Sequence, residues 1–294
     1  MRSKVCVAYG PDRKASTRKV VEGFGMPEVA GKNVLIKPNF NTADPPPGST
    51  HSDTLETVIR TVQEGGPKHV IVGDRSGPAS TREVFREKGI FQMGERLGFE
   101  CLIFDSMPKS RFEKIALPGS HWRDGYLIAK PVLEADAVIT LCCLKAHSFG
   151  GHFTMSLKVT TGMIAGSNMR ELHSSDHIRD MIAEMNVAYR PKLIVMDGVE
   201  AFVDGGPMTG TKWQANLTFA SDDRVAIDAV GVAALKMHGT TKAIESKRIF
   251  EQDQIRRAVE LGIGVPSPED IDLVPVDEVS AEVVGKLRDI LSNA

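Results

Sequence analysis

The sequence predicts an α/β protein: a mainly parallel sheet, or sheets, flanked by helices in three layers, built as one body or as two lobes about a cleft. Three observations predict it. Short β-rich apolar runs alternate with helical patterns, the signature of βαβ units. Several runs are apolar throughout, as strands buried on both faces are. Polar or turn residues follow many of them, at the strand ends where open α/β sheets bind ligands.

In chain order, strands are expected at 5–8, 34–36, 69–72, 101–104, 137–141, 193–196, 217–220 and 271–274. Helical patterns lie at 52–63, 80–87, 175–188, 222–237 and 280–291. Residues 108–130 read as a pair of β-strands with a turn at Pro118-Gly119. That pair sets the expected division into an N-terminal portion, 1–107, and a C-terminal portion, 108–294, which carries most candidate site residues. The stretch 42–52, with Pro45-Pro46-Pro47-Gly48, reads as a surface loop able to cover a site.

Composition narrows the function classes. The 294 residues carry 36 Lys+Arg against 38 Asp+Glu, a formal net charge of -2 with no basic run, which argues against a nucleic-acid partner. No stretch approaches the roughly 20 apolar residues of a membrane helix, and the first ten residues are too short in apolar character for a secretory leader. A soluble cytoplasmic protein is the expectation. The four cysteines, Cys6, Cys101, Cys142 and Cys143, form no C-x-x-C pair, so no iron–sulfur or zinc-ribbon motif is present. Cys142 and Cys143 sit in an apolar run and are expected in the core. Gly23-Phe24-Gly25 follows a helical pattern rather than a strand and is no dinucleotide fingerprint; neither a P-loop nor a nucleophile elbow appears.

The densest polar constellation is Lys145, His147, His152, Lys158 and His173, following the buried run 137–144. Histidine exchanges protons near neutral pH, and a desolvated lysine serves as base, Schiff-base nucleophile or anion anchor, so the set suits a small acidic substrate. Its plain alternative is a pair of solvated lysines with His152 at the surface. If residues 154–162 open a helix, Thr154 and Lys158 share a face, and the first-turn amides contact an anion that Lys158 neutralises. His173 and His177 have metal-ligand spacing only if both are helical, but Ser174-Ser175-Asp176 reads as an N-cap between them. His173 is therefore expected in a loop and His177 in a helix, while a divalent metal held by His147 and His173 stays open.

Other polar groups follow strands. Lys37 and Asn39, around Pro38, and Asp74 after Val72-Gly73 read as ligand-positioning residues. Asp197 follows a strand, and Asp228 lies on the apolar face of a helix, where a buried acid needs a Lys, His or backbone partner. Asp228 is expected to orient a catalytic Lys or His, or to serve as a structural acceptor. Asp222 and Asp223 are expected to cap the helix they open.

Several separated segments resemble one family. They are Leu35-Ile36-Lys37-Pro38-Asn39-Phe40, Ser52-Asp53-Thr54, Val72-Gly73-Asp74, Leu144-Lys145-Ala146-His147, Thr154 to Lys158 with Gly162, and His173. Val195-Met196-Asp197-Gly198, Gly205-Gly206-Pro207 and the run from Ala220 to Ala229 complete the set. Over roughly residues 30–240 this order resembles domain-of-unknown-function family 362. The resemblance supplies no reaction. Many members carry an added ferredoxin-like segment, for which this chain has no cysteines, and Val159 stands where the family commonly has Asn. A second likeness is in the order Lys-x-His, Lys, His at 145, 147, 158 and 173, with spacings of 11 and 15 residues after His147, which is similar to the nickel-pincer-dependent lactate racemases. There a His ligates nickel, a Lys tethers the cofactor, and paired histidines serve the two substrate faces; the likeness implies such a cofactor with Lys158 as tether.

The combined expectation is an enzyme binding a small anionic, carboxylate-bearing metabolite, with isomerase, racemase or lyase chemistry. Lys145 or Lys158 holds the anion or acts as base, His147 and His173 exchange protons, and Asp197 and Asp228 orient them. Lys37, Asn39, Asp74 and Thr154 contact the substrate. The rivals are a non-catalytic metabolite or metallocofactor binder and a redox accessory protein whose cluster sits on another chain. Oligomeric state has no signature in the sequence.

Overall fold

All eight expected strands and the expected pair within 108–130 form, together with two short strands, in the computed structural model of the chain, which describes residues 2–150 and 152–293. The strands are β1 Ser3–Tyr9, β2 Asn33–Lys37, β3 His69–Asp74, β4 Glu100–Ile103, β5 Phe112–Ile115, β6 Tyr126–Ala129, β7 Ala137–His147, β8 His152–Thr154, β9 Leu193–Phe202, β10 Lys212–Trp213, β11 Leu217–Ser221 and β12 Ile271–Pro275. The helices are α1 Arg13–Phe24, α2 Ser52–Glu64, α3 Thr81–Glu87, α4 Ile90–Leu97, α5 Lys130–Glu134, α6 Ser156–Val159, α7 Met169–Ser174, α8 Ile178–Glu184, α9 Arg224–His238, α10 Lys242–Glu245, α11 Asp253–Glu260 and α12 Glu278–Asn293.

One sheet runs in the order β12-β1-β11-β9-β7-β2-β3-β4, with β8 added to β7 and β10 to β9. Its long pairings, β12 with β1 and β9-β7-β2-β3-β4 in succession, are parallel, whereas β11 is antiparallel to both neighbours. The sheet interleaves strands from both sides of residue 107, since β7 lies between β2 and β9. Residues 108–130 supply the separate antiparallel pair β5 and β6, as their pattern predicts.

Alternation along the strands produces the three layers, because successive side chains point to opposite faces. Val5 and Val7 join one core while Cys6 and Ala8 join the other; Leu35 is divided in the same way from Val34 and Ile36, and Ile194 and Met196 from Leu193 and Val195. The first core is covered by α8, α9, α11 and α12, the second by α1 to α4. Strand β7, apolar over most of its length, is buried at all eleven positions. Cys142 and Cys143 lie within it as core residues, and all four cysteines are free.

Two helix expectations are refined. Asp223 caps α9, accepting from the amides of Val225 and Ala226. The pattern over 175–188 becomes α8 followed by a 3-10 turn at Met185–Ala188, because the amide of His177 bonds Ser175 Oγ and the helix begins only after it.

Candidate functional site

Parallel pairing puts the carboxyl ends of β2, β3 and β7 on one sheet edge, where a cleft of about 370 Å³ opens. That size suits a small molecule. Its two sides differ.

The floor consists of groups that satisfy one another. Lys37 Nζ lies 2.6 Å from Asp74 Oδ1 and donates to Pro38 O, both side chains being 1% exposed. Asp74 also accepts from the amides of Phe40 (2.9 Å) and Arg75 (2.7 Å). Burial pushes the Asp74 carboxyl up to about 6 and the Lys37 amine down, and each opposes the shift of the other. Gly162 closes over the pair: a Cβ there would stand 2.5 Å from both Lys37 Nζ and Asp74 Oδ1, so the approach requires a residue without a side chain. Lys145, fully buried, spends its three protons on Asn39 Oδ1 (3.0 Å), Pro47 O (2.9 Å) and Gly48 O (2.5 Å). Burial lowers its pKa. Arg75 donates to the carbonyls of Ile164, Ser76 and Thr161.

The wall, from β8, α6 and α7 with the end of β7, holds groups that lack such partners. Lys158 lines the cleft, and its amine makes no hydrogen bond or ion pair with any described residue. Burial, with the like charges of Lys145 and Arg75, brings its pKa down to about 8. Thr154, 6% exposed, also lines the cleft, and its Oγ1 is buried without a partner. The Asn39 side chain accepts from Lys145 through Oδ1, which leaves its amide nitrogen without a partner among the described residues.

The two cleft histidines are held in opposite tautomers. His147 Nδ1 accepts from the amide of Phe149 at 3.1 Å, so the neutral ring carries its proton on Nε2. Burial, Lys158, Lys145 and His173 push its pKa down to about 2, which keeps it neutral. His173 Nδ1 lies 2.8 Å from Met169 O, an acceptor only, so the neutral ring donates there and keeps a lone pair on Nε2.

Of the residues singled out in the sequence, Lys37, Asn39, Asp74, Lys145, His147, Thr154, Lys158 and His173 line this cleft. Asp197 and Asp228 do not. Asp197 lies in a separate cluster, paired with Arg13 at 3.0 Å and accepting from Thr54 Oγ1 and the Val199 amide. Asp228, fully buried, accepts from the amides of Ser156 (2.7 Å) and Leu157 (3.0 Å), touching no Lys or His. Burial pushes its carboxyl up to about 7. It anchors the start of α6 and so sets the position of Lys158.

That contact overturns two expectations. Thr154 does not open a helix with Lys158 but ends β8, and the first amides of α6 are taken by Asp228 rather than left for an anion. The histidine expectations exchange places as well: His173 sits in the last turn of α7, and His177 is the residue preceding α8. His152 packs near Arg179 and Asp253, outside the cleft lining. The Pro-rich segment is no surface loop in its second half, since residues 47–50 are buried and Lys145 clamps the carbonyls of Pro47 and Gly48.

Arg75 belongs to the strand ending Gly73-Asp74-Arg75, where a site is expected, but sequence reasoning assigns it no role, and it passes over Thr161, one turn beyond Lys158. Phe149, Met169 and Met208, which add apolar lining, carry no local signal, whereas Pro207 belongs to the Gly205-Gly206-Pro207 segment of the family resemblance.

Comparison with known proteins settles the family. A sequence model described as a domain of unknown function, DUF362, matches residues 34–233. The chain belongs to the DUF362 family. This DUF362 chain is 29% identical over 237 residues to the thylakoid-associated protein sll1697 of Synechocystis sp., covering 77% of this chain and 71% of that one. Among solved structures, the lactate racemase apoprotein of Thermoanaerobacterium thermosaccharolyticum aligns with a TM-score of 0.50 and 12% identity, over 96% of this chain and 85% of that one. At such identity the likeness is one of fold, and a fold does not specify a function. No helix among the described residues is long and apolar enough to cross a membrane.

Proposed function

We propose that this DUF362 protein is an enzyme whose cleft binds a small carboxylate-bearing metabolite and moves a proton on it, in an isomerase, racemase or lyase reaction. The observation that carries the reading is Lys158: a cleft-lining amine with no partner among the described residues. Unpaired, partly buried charge is costly, and an anion would relieve it. Among the described residues, the only carboxylate lining the cleft, Asp74, is already paired with Lys37. Thr154 Oγ1 and the Asn39 amide offer further hydrogen bonds.

The histidines suit complementary tasks. His147, held neutral with a proton on Nε2, donates a hydrogen bond to a substrate oxygen and so favours negative charge there. His173, with its Nε2 lone pair, accepts a proton from carbon. Lys158, titrating near pH 8, holds the carboxylate or returns a proton. Asp228 and Lys145 are positioning residues, the first through the start of α6 and the second through Asn39 and the Pro47-Gly48 carbonyls. A cytoplasmic setting belongs to the same proposal, since four unpaired cysteines suit a reducing compartment.

A nickel-pincer-type cofactor fits part of this site. Lys158 has the free amine for a tether and His173 the outward lone pair for a metal, supported behind by Met169 O, while His147 presents an N–H and no lone pair. Such a group would supply an electron-poor metal centre, and these two residues are where it would be held.

Isothermal titration with lactate, pyruvate, malonate, succinate and inorganic phosphate tests the reading. At least one carboxylate binds in the micromolar to millimolar range, and Lys158→Met weakens it at least about tenfold. A Lys158→Met protein that binds as well as wild type, or a wild type that binds none of them, overturns it.

A further inference from the structure

Outside the cleft, the segment leading into β6 and the beginning of α8 bring three metal-ligating side chains together. We infer that His121, His177 and Asp180 form a surface site for one divalent cation of the zinc class. Ligand atoms of all three lie within 4.8 Å of one another. Zinc bonds of about 2.0–2.2 Å in a tetrahedron place neighbouring ligands roughly 3.3 Å apart, within reach of small side-chain rotations. Two imidazoles and a carboxylate, with a fourth position open to water, are a donor set that zinc accepts.

Glu184 gives the independent sign that His121 is built to ligate. Its carboxylate is fully buried, and Oε1 lies 2.8 Å from His121 Nδ1. A neutral ring so held carries its proton on Nδ1 and keeps its lone pair on Nε2 for a ligand, the carboxylate–histidine arrangement found behind metal ligands. Ser120 Oγ and the His121 amide bind the other carboxylate oxygen and fix the orientation. His177 is more than half exposed and stacks on His121 with ring centroids 4.3 Å apart. Asp180, three residues further on, brings an oxygen to 3.6 Å from His177 Nδ1.

The surrounding charges accept a cation. Arg256 contacts Asp180 at 3.1 Å and Arg257 contacts Glu184 at 2.8 Å, but both arginines also pair with Glu260. The three carboxylates, Asp180, Glu184 and Glu260, outnumber the two guanidiniums they face. A bound ion would link the segment before β6 to the start of α8, through His177, which lies four residues beyond the cleft residue His173.

The test uses the untagged full chain, stripped with EDTA and titrated with Zn²⁺, with Mg²⁺ as control. The site predicts one equivalent of Zn²⁺ and no comparable Mg²⁺ binding. Affinity falls at least thirtyfold in His177→Ala and in His121→Ala but persists in His173→Ala. The His177 side chain is more than half exposed, so its variant keeps the assay open if His121→Ala fails to fold. Co²⁺ in place of Zn²⁺ gives tetrahedral visible bands that vanish in His177→Ala. Zn²⁺ binding unchanged in His177→Ala, binding lost only in His173→Ala, or no Zn²⁺ binding tighter than millimolar would each overturn the site.

Discussion

Lys145 and Lys158 line one cleft and carry the same charge, yet their surroundings are opposite. Lys145 is enclosed by three oxygen acceptors, two of them backbone carbonyls of the Pro-rich segment. Lys158 faces the same space with none. The floor around Lys37, Asp74, Lys145 and Arg75 resembles a protein interior, with its donors matched inside the chain. On the wall, Thr154 Oγ1, the Lys158 amine and the Nε2 atoms of the two histidines have no partner among the described residues, and unmatched polar groups in a concave site are what a ligand completes. Lys145 is the more deeply buried of the two, and it is also the one whose donors are all matched.

Substitutions at both lysines sharpen that contrast. Lys145→Met should cost about 3–5 kcal/mol in urea denaturation, because it leaves Asn39 Oδ1 and two buried carbonyls without their donor. Gly162→Ala comes next at about 2–4 kcal/mol, since its methyl would collide with the Lys37–Asp74 pair. Lys158→Met should do the reverse and stabilise the protein by about 1–2 kcal/mol at pH 7.5, by removing a poorly solvated cation with no counter-charge. Equal losses at Lys145 and Lys158 would erase the distinction.

The smallest effect is its dependence on pH. Lys158 titrates near 8 in the folded chain against 10.5 for the ordinary amine, so between these values the unfolded chain binds more protons. Wild-type stability should therefore gain from this residue as pH rises through that window, and the advantage of Lys158→Met should shrink towards pH 10. Urea curves at pH 7.5 and 9.5 for both proteins check the sign; a gap that widens with pH would show that Lys158 is paired.

Much of this architecture is legible in the sequence. A strand such as β7 announces itself by an apolar run over most of its length, and the polar residues at strand ends mark the cleft. The remainder depends on contacts far apart in the chain. Asp228 lies 72 residues from Ser156, whose amide it captures, so nothing local warns that α6 has no amides left for an anion. Asp197 is drawn out of the site by Arg13, 184 residues away. The different fates of Lys145 and Lys158 rest on carbonyls of the 47–48 segment, which sequence periodicity does not place. His173 and His177 exchange roles because a single serine-anchored turn decides where one helix stops and the next starts.

The most direct measurement of the central claim is proton exchange in D₂O. Wild type and Lys158→Met are incubated with each small carboxylate that binds, and loss of the proton on the carbon next to the carboxylate is followed by ¹H NMR. Enzyme-dependent exchange is expected with at least one of them, and its loss, by about 10²-fold or more, in Lys158→Met and in His173→Ala. Binding without exchange, or exchange that survives both substitutions, would contradict it.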